Sequence, residues 1–158
     1  MDIKRCIIKV KDLVEGYIDL GNDGVQGYGG KLDIRPPYQR EFIYDDDKQQ
    51  AVIDSVMNGF PLGIMYWSDH GDGTYEVLDG QQRTLSICKF YNHEFSLKSI
   101  SKSSSKSFDK PMYFDSLTKE ENKHFLNYEL DIYVCSGTER EKLEWFERIN
   151  VVGEPLTK

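Results

Sequence analysis

Asp79-Gly80-Gln81-Gln82-Arg83 is the segment whose residue types and spacing lend themselves most to chemistry. It falls where an alternating run, Thr74 to Leu78, gives way to helical spacing over residues 81 to 91. The first turn of a helix leaves backbone N–H groups without intrahelical partners. The helix dipole adds partial positive charge there, so an anion is favoured. Gly80 lets a ligand approach the backbone closely. Arg83 brings a planar charged fork suited to phosphate, and Gln81 and Gln82 bring uncharged donors and acceptors. A structural alternative stands beside this one. Asp79 could serve as the N-cap for Gln81 or Gln82, Gly80 could relax a tight turn, and Arg83 could pair with any of 27 acidic residues. Two carboxamides followed by arginine at a helix start are unusual for packing alone. A phosphate and the Asp79 carboxylate would compete for the same N–H groups. Either Asp79 swings toward a ribose or Mg²⁺, or no phosphate binds there; Mg²⁺ would reconcile the two, because it takes carboxylate and phosphate oxygens together.

Two further segments carry candidate residues. In Pro36-Pro37-Tyr38-Gln39-Arg40 the prolines stiffen the backbone. Tyr38 can stack on a base, Gln39 can read an amide edge, and Arg40 can hold a phosphate. The alternative is a rigid connection with Tyr38 in the core and Arg40 paired with Glu41 or Asp45. In Phe146-Glu147-Arg148-Ile149-Asn150, Phe146 and Ile149 are expected in the core, and Arg148 and Asn150 end a helix. These two reach a ligand, or else Arg148 balances the helix C-terminus and Asn150 is the left-handed cap.

The elements that must position these residues are legible in outline. Residues 6 to 14 begin as a strand and turn helical. Residues 21 to 30 hold five of the thirteen glycines, and a flexible loop is expected there. A helix is expected over 46 to 58, with Asp45 or Asp46 as N-cap, Gln49 three residues after Asp46, an apolar stripe of Val52, Ile53, Val56 and Met57, and a stop at Asn58-Gly59. Leu62 to Trp67 and Thr74 to Leu78 read as strands joined by an Asp-Gly turn. Residues 99 to 110 form a Ser/Lys-rich stretch, expected as a mobile solvated loop, with a basic lip for phosphates as the alternative. Thr118-x-x-Glu121 caps a helix to about Tyr128, and Leu130 to Cys135 alternates as a strand. Thr138-x-x-Glu141 caps a last helix with a stripe of Leu143, Phe146 and Ile149. Helices and strands alternate without an internal repeat, which predicts an α+β fold in one domain over 1–158, a small mixed sheet with packed helices.

Composition sets the bounds. The 158 residues are 39% hydrophobic and 30% charged, enough apolar matter for a core. Aromatics at 13% argue against wholesale disorder. A net charge of −7 disfavours sequence-independent coating of DNA and leaves room for a local basic groove. There is no apolar run of membrane-spanning length and no secretory core, and three scattered cysteines fit reduced thiols in the cytoplasm. His70, His93 and His124 have no metal-ligand spacing, and neither a P-loop nor a nucleophile elbow is present.

Four ordered segments together resemble a known family. They are Pro37-Tyr38-Gln39-Arg40, Asp54-Ser55-Val56-Met57-Asn58-Gly59-Phe60-Pro61, Val77-Leu78-Asp79-Gly80-Gln81-Gln82-Arg83-Thr84-Leu85, and Phe146 to Asn150 with Gly153-Glu154-Pro155-Leu156-Thr157. Over roughly residues 8 to 158 the chain resembles the N-terminal domain of GmrSD-type, modification-dependent restriction endonucleases, which is similar to the ParB/sulfiredoxin-like fold. The resemblance implies binding and hydrolysis of a nucleoside triphosphate with Mg²⁺, gating a nuclease that cuts modified foreign DNA. The mechanism expected on these grounds has Asp79, Gln82 and Arg83 as catalytic residues, with Asp79 facing Mg²⁺ or the attacking water. It has Tyr38, Gln39, Arg40, Gly80, Gln81, Arg148 and Asn150 as nucleotide-binding residues. The nuclease partner in this family is a His-Asn-His-type domain or subunit, and none of the three histidines here sits in such a context. Phe42 and Tyr44 stand where tryptophan is common, and Val151-Val152 where Thr-Gly is usual. Other readings of the same pocket are a non-enzymatic module for DNA or a modified base, and a ParB-like nucleotide switch without fast turnover.

Overall fold

The computed structural model describes residues 1–35, 44–99 and 107–152. The sequence segments at Tyr38-Gln39-Arg40 and at residues 153–157 lie outside the described residues. In chain order the elements are β1 (Asp2–Lys9), α1 (Val10–Val14), β2 (Ile18–Asp19), β3 (Val25–Gly27), β4 (Leu32–Arg35), α2 (Asp46–Met57), β5 (Met65–Asp69), β6 (Tyr75–Asp79), α3 (Gln81–Tyr91), β7 (Leu97–Ser99), β8 (Ser107–Met112), α4 (Lys119–Asn127), β9 (Glu129–Ser136) and α5 (Glu139–Val152). The expected α+β class holds. Seven strands form one mixed sheet in the order β1-β9-β5-β6-β4-β3-β2, while β7 and β8 pair separately. Two pairs, β5 with β9 and β4 with β6, are parallel, and the other pairs are antiparallel.

Period-two alternation gives the sheet two different faces. Met65 and Trp67 of β5, and Leu130 and Ile132 of β9, are buried in one apolar cluster with Leu13 of α1, Val52, Ile53 and Val56 of α2, Leu85, Ile87 and Phe90 of α3, and Phe125 of α4. The alternate residues Tyr66 and Ser68 of β5 face the other way and meet α5, and Tyr133 of β9 packs on Tyr66. There, Tyr66 packs on Trp145, and Ser68 accepts a hydrogen bond from Lys142. Four helices thus cover one face and α5 lies on the other.

Short-range signals set several boundaries. Asp45, not Asp46, caps α2, accepting from the Lys48 N–H at 2.9 Å, so the spacing from Asp46 to Gln49 is not used as a capping box. Asn58 and left-handed Gly59 end that helix as expected. Thr118 and Glu121 form the full capping box of α4.

Three expectations are corrected. The glycine-rich stretch is not one loop. Val25 and Gly27 are buried in β3, which pairs with β2 and β4, and Tyr28 packs edge-on against Trp67. Strands of two or three residues are too short to stand out against glycine-rich composition. The stretch expected as loop through residue 110 is already strand from Ser107, paired across β7, and Lys98 binds Asp46 rather than forming a lip. The inner stripe of α5 is also different, since Leu143 is 60% exposed. Lys142 is buried instead, its Nζ donating to Ser68 Oγ at 2.7 Å and to the Asp69 carbonyl at 2.9 Å. Its ammonium also pairs with Glu139 Oε1 at 3.4 Å, so a charged residue takes an inner position and hydrophobic periodicity misplaced the face by one residue.

Candidate functional site

The parallel pairing of β4 with β6 brings the C-terminal ends of both strands to one edge of the sheet. Strand β6 ends at Asp79, and Gly80 turns the chain with φ +101° into α3. A Cβ on Gly80 would lie 2.5 Å from Met65 Cγ, so only glycine fits this close turn. The Gly80 carbonyl accepts from the Thr84 N–H at 2.9 Å and from Thr84 Oγ1 at 2.8 Å. Gly80, rather than Asp79, is the N-cap, and no side chain caps this helix end. The reading of Asp79 as the cap is therefore overturned. The left-handed turn leaves its carboxylate four residues from Arg83, and the two pair.

Arg83 is held from two sides. Nη2 lies 3.3 Å from Asp79 Oδ2, and Nη1 donates to the Leu62 carbonyl at 2.6 Å. The ion pair is mostly shielded, with side-chain exposures of 22% for Arg83 and 18% for Asp79. Gly63, with φ +85°, lets the loop before β5 approach the guanidinium, and a Cβ there would lie 3.2 Å from Nη1. Gln81 reaches sideways, its Nε2 donating to the Ile34 carbonyl at 3.0 Å. That bond ties the start of α3 to the end of β4, after which the chain runs into Pro36-Pro37-Tyr38-Gln39-Arg40. The adjacent carboxamide is different. Gln82 Nε2 is buried and has no hydrogen-bond acceptor among the described residues. A buried amide donor left unpaired costs about 1–3 kcal/mol.

The opposite rim is aromatic. Tyr66 stands across the strand pair from Asp79. Its ring centroid lies 4.9 Å from Trp145 of α5 and 5.7 Å from Tyr133 of β9, both in edge-to-face contact. Burial pushes the Tyr66 phenol above its ordinary range, and the Asp79 charge adds to this.

The structure thus gathers Asp79, Gly80, Gln81, Gln82 and Arg83 at one strand–helix turn. Arg148 is exposed on α5, one turn past Trp145. The expectation that Arg148 and Asn150 end a helix is corrected, because α5 runs on through Val152 with no breaker before Gly153. Asn150 therefore lies within the helix and is not its left-handed cap. Sequence reasoning missed Tyr66, Trp145 and the carbonyl of Leu62. Tyr66 and Leu62 lie in an apolar run with no motif of their own, and Trp145 could have been found only as a half-exposed aromatic beside Phe146.

Fold and site together define a small α+β domain with a side-chain-free helix start, a shielded Asp–Arg pair and an orphaned amide at one sheet edge. The model of the GmrSD restriction endonuclease N-terminal domain matches residues 18–158, and the chain belongs to that family. Membership implies a role in a restriction or defence system. No curated protein and no solved structure matches the chain. Among the described residues, no helix is long and apolar enough to cross a membrane.

Proposed function

We propose that this chain is the nucleoside-triphosphate-binding and -hydrolysing sensor domain of a modification-dependent restriction system, with the phosphates at the turn formed by residues 79 to 83. The observation that carries this reading is the buried, unpaired Nε2 of Gln82 at a helix start that no side chain caps. Both features are costs to the folded chain alone, and an anionic oxygen at that place would offset both.

In this reading Arg83 holds phosphate oxygens, Gly80 allows backbone approach, and Gln82 donates to a phosphate oxygen or to the attacking water. The amide of Gln81 acts at one remove, since it already holds Ile34. Tyr38, Gln39 and Arg40, which follow β4 in sequence, are assigned here to base, sugar and a second phosphate. Arg148 and Asn150 of α5 are assigned here to closing the site.

The donor set fits Mg²⁺ held largely by phosphate. Among the described residues, no three His, Cys, Asp or Glu side chains gather as a metal site, and Asp79 is the carboxylate at the turn itself. Mg²⁺ commonly binds through one or two carboxylates plus phosphates and water. When bound it would neutralise phosphate charge. The Asp79–Arg83 pair suits this, because each partner meets an opposite charge when Mg²⁺ and phosphate arrive together. Hydrolysis then gates a His-Asn-His-type nuclease domain or subunit acting on DNA.

The test is phosphate release from ATP, GTP, CTP and UTP by the wild-type chain and by Gln82→Leu. Leucine of similar size removes the unpaired amide, so the variant melts at the same temperature or higher. Its turnover falls about tenfold or more, as for a lost hydrogen bond to a charged group. Unchanged turnover in a well-folded Gln82→Leu sinks the proposal.

A further inference from the structure

We infer that Trp145 of α5, seated on Tyr66, is the platform on which the base of the bound nucleotide stacks. This rests on the nucleotide reading of residues 79 to 83 and adds what recognises the base. The chain has two tryptophans. Trp67 is 1% exposed in the core, whereas Trp145 is only half-buried. The planes of Trp145 and Tyr66 meet at 73°. With the planes this far from parallel, Tyr66 meets at most one face of the Trp145 indole, and the other is left for a base.

The position of this ring is held firmly. Lys142, one turn before Trp145, is buried and bonded to Ser68 Oγ and to the Asp69 carbonyl. Those acceptors follow Tyr66 on β5. The same strand therefore seats both the anchor of α5 and the ring beneath Trp145. Tyr66 in turn pairs in register with Asp79, which leads directly into the phosphate turn. Directly opposed residues in antiparallel strands have Cβ atoms about 4.5–5.5 Å apart. An aromatic wall thus stands one cross-strand step from the charged end of the site. A nucleotide needs that order of surfaces, a flat apolar face for the base and a cationic turn for the phosphates. Stacking tolerates any base, because every base has a π-face.

The experiment uses the 158-residue chain with Mg²⁺ and each of ATP, GTP, CTP and UTP, with inorganic triphosphate as the base-free probe. Tryptophan emission and thermal stability are read together. Base stacking quenches Trp145 while Trp67 stays in the core, so a nucleotide raises the melting temperature and quenches emission. Inorganic triphosphate raises the melting temperature without quenching. Trp145→Phe loses the quench and binds the nucleotide about fivefold to one-hundredfold more weakly, with triphosphate affinity unchanged. If nucleotide stabilises the chain with no quench, or Trp145→Phe binds it as well as wild type, the stacking inference falls and the phosphate turn stands. If no nucleotide and no triphosphate stabilises the chain, both fall.

Discussion

Gly80 and Met65 are packed backbone against side chain, so tightly that a Cβ on Gly80 would sit 2.5 Å from Met65 Cγ and 2.6 Å from its Sδ. The contact joins the turn that carries the candidate site to the first residue of β5. It also explains why the helix start has no capping side chain, since any residue able to cap would collide there. Gly80→Ala combines the cost of a left-handed backbone with overpacking, in sum about 3 kcal/mol. The melting temperature is expected to drop by roughly 10 °C for a chain of this length. A calorimetric melt within a degree of wild type would show that the turn can relax and that glycine is not required by packing.

The three cysteines differ sharply in access. Burial pushes the Cys88 thiol well above its ordinary range, with the Glu94 charge adding to it, and burial pushes Cys135 the same way. Cys6 on the outer strand β1 is only half-buried. Thiolate is the reactive form. A disulfide-exchange reagent at mildly alkaline pH should therefore titrate one thiol quickly in the native chain and all three in denaturant. Cys6→Ser should abolish the fast phase. Rapid reaction of a second thiol in the folded protein would contradict the burial assigned to Cys88 and Cys135.

The start of α5 carries a carboxylate held by the helix cap and the amino terminus. Glu141 Oε1 accepts from the Thr138 N–H at 2.9 Å, Thr138 Oγ1 accepts from the Glu141 N–H at 3.1 Å, and the amino terminus of Met1 reaches Glu141 Oε2 at 3.3 Å. The Thr138 N–H, followed by the Met1 ammonium, holds the Glu141 carboxyl below the ordinary carboxylate range. A lowered folded-state value means the stabilisation is present above the ordinary glutamate range and is lost as pH falls through the lowered value. Acidification below about pH 4 should loosen α5 and shift the emission of Trp145 to longer wavelength. Glu141→Gln should flatten that pH dependence, and an identical acid shift in both proteins would assign it to another group.

Much of the local structure was readable from the sequence because its causes are local. The limits of α3 at residues 81 and 91 follow from Gly80 before it and the break in apolar spacing after it. The capping boxes at Thr118 and Thr138 need only residues three apart. The turn at 79 to 83 stood out because its residue types are unusual for packing. By contrast, the glycine-rich strand β3 and the start of β8 were hidden, because composition outweighs periodicity in strands this short.

The sequence by itself determined the α+β class, most helix limits and the family, since hydrophobic period, caps and ordered motifs all act over short separations. The tertiary structure decided the rest, because those contacts join residues that periodicity cannot relate. Parallel pairing of β4 with β6 sets Ile34 beside Gln81, 47 positions apart. The carbonyl that fixes Arg83 comes from Leu62, 21 positions away. Lys142 is an inner residue where Ser68 and the Asp69 carbonyl, more than seventy positions earlier, offer its ammonium acceptors besides nearby Glu139. Burial of a charge is decided by the partners that meet it, and those partners are assembled by the sheet.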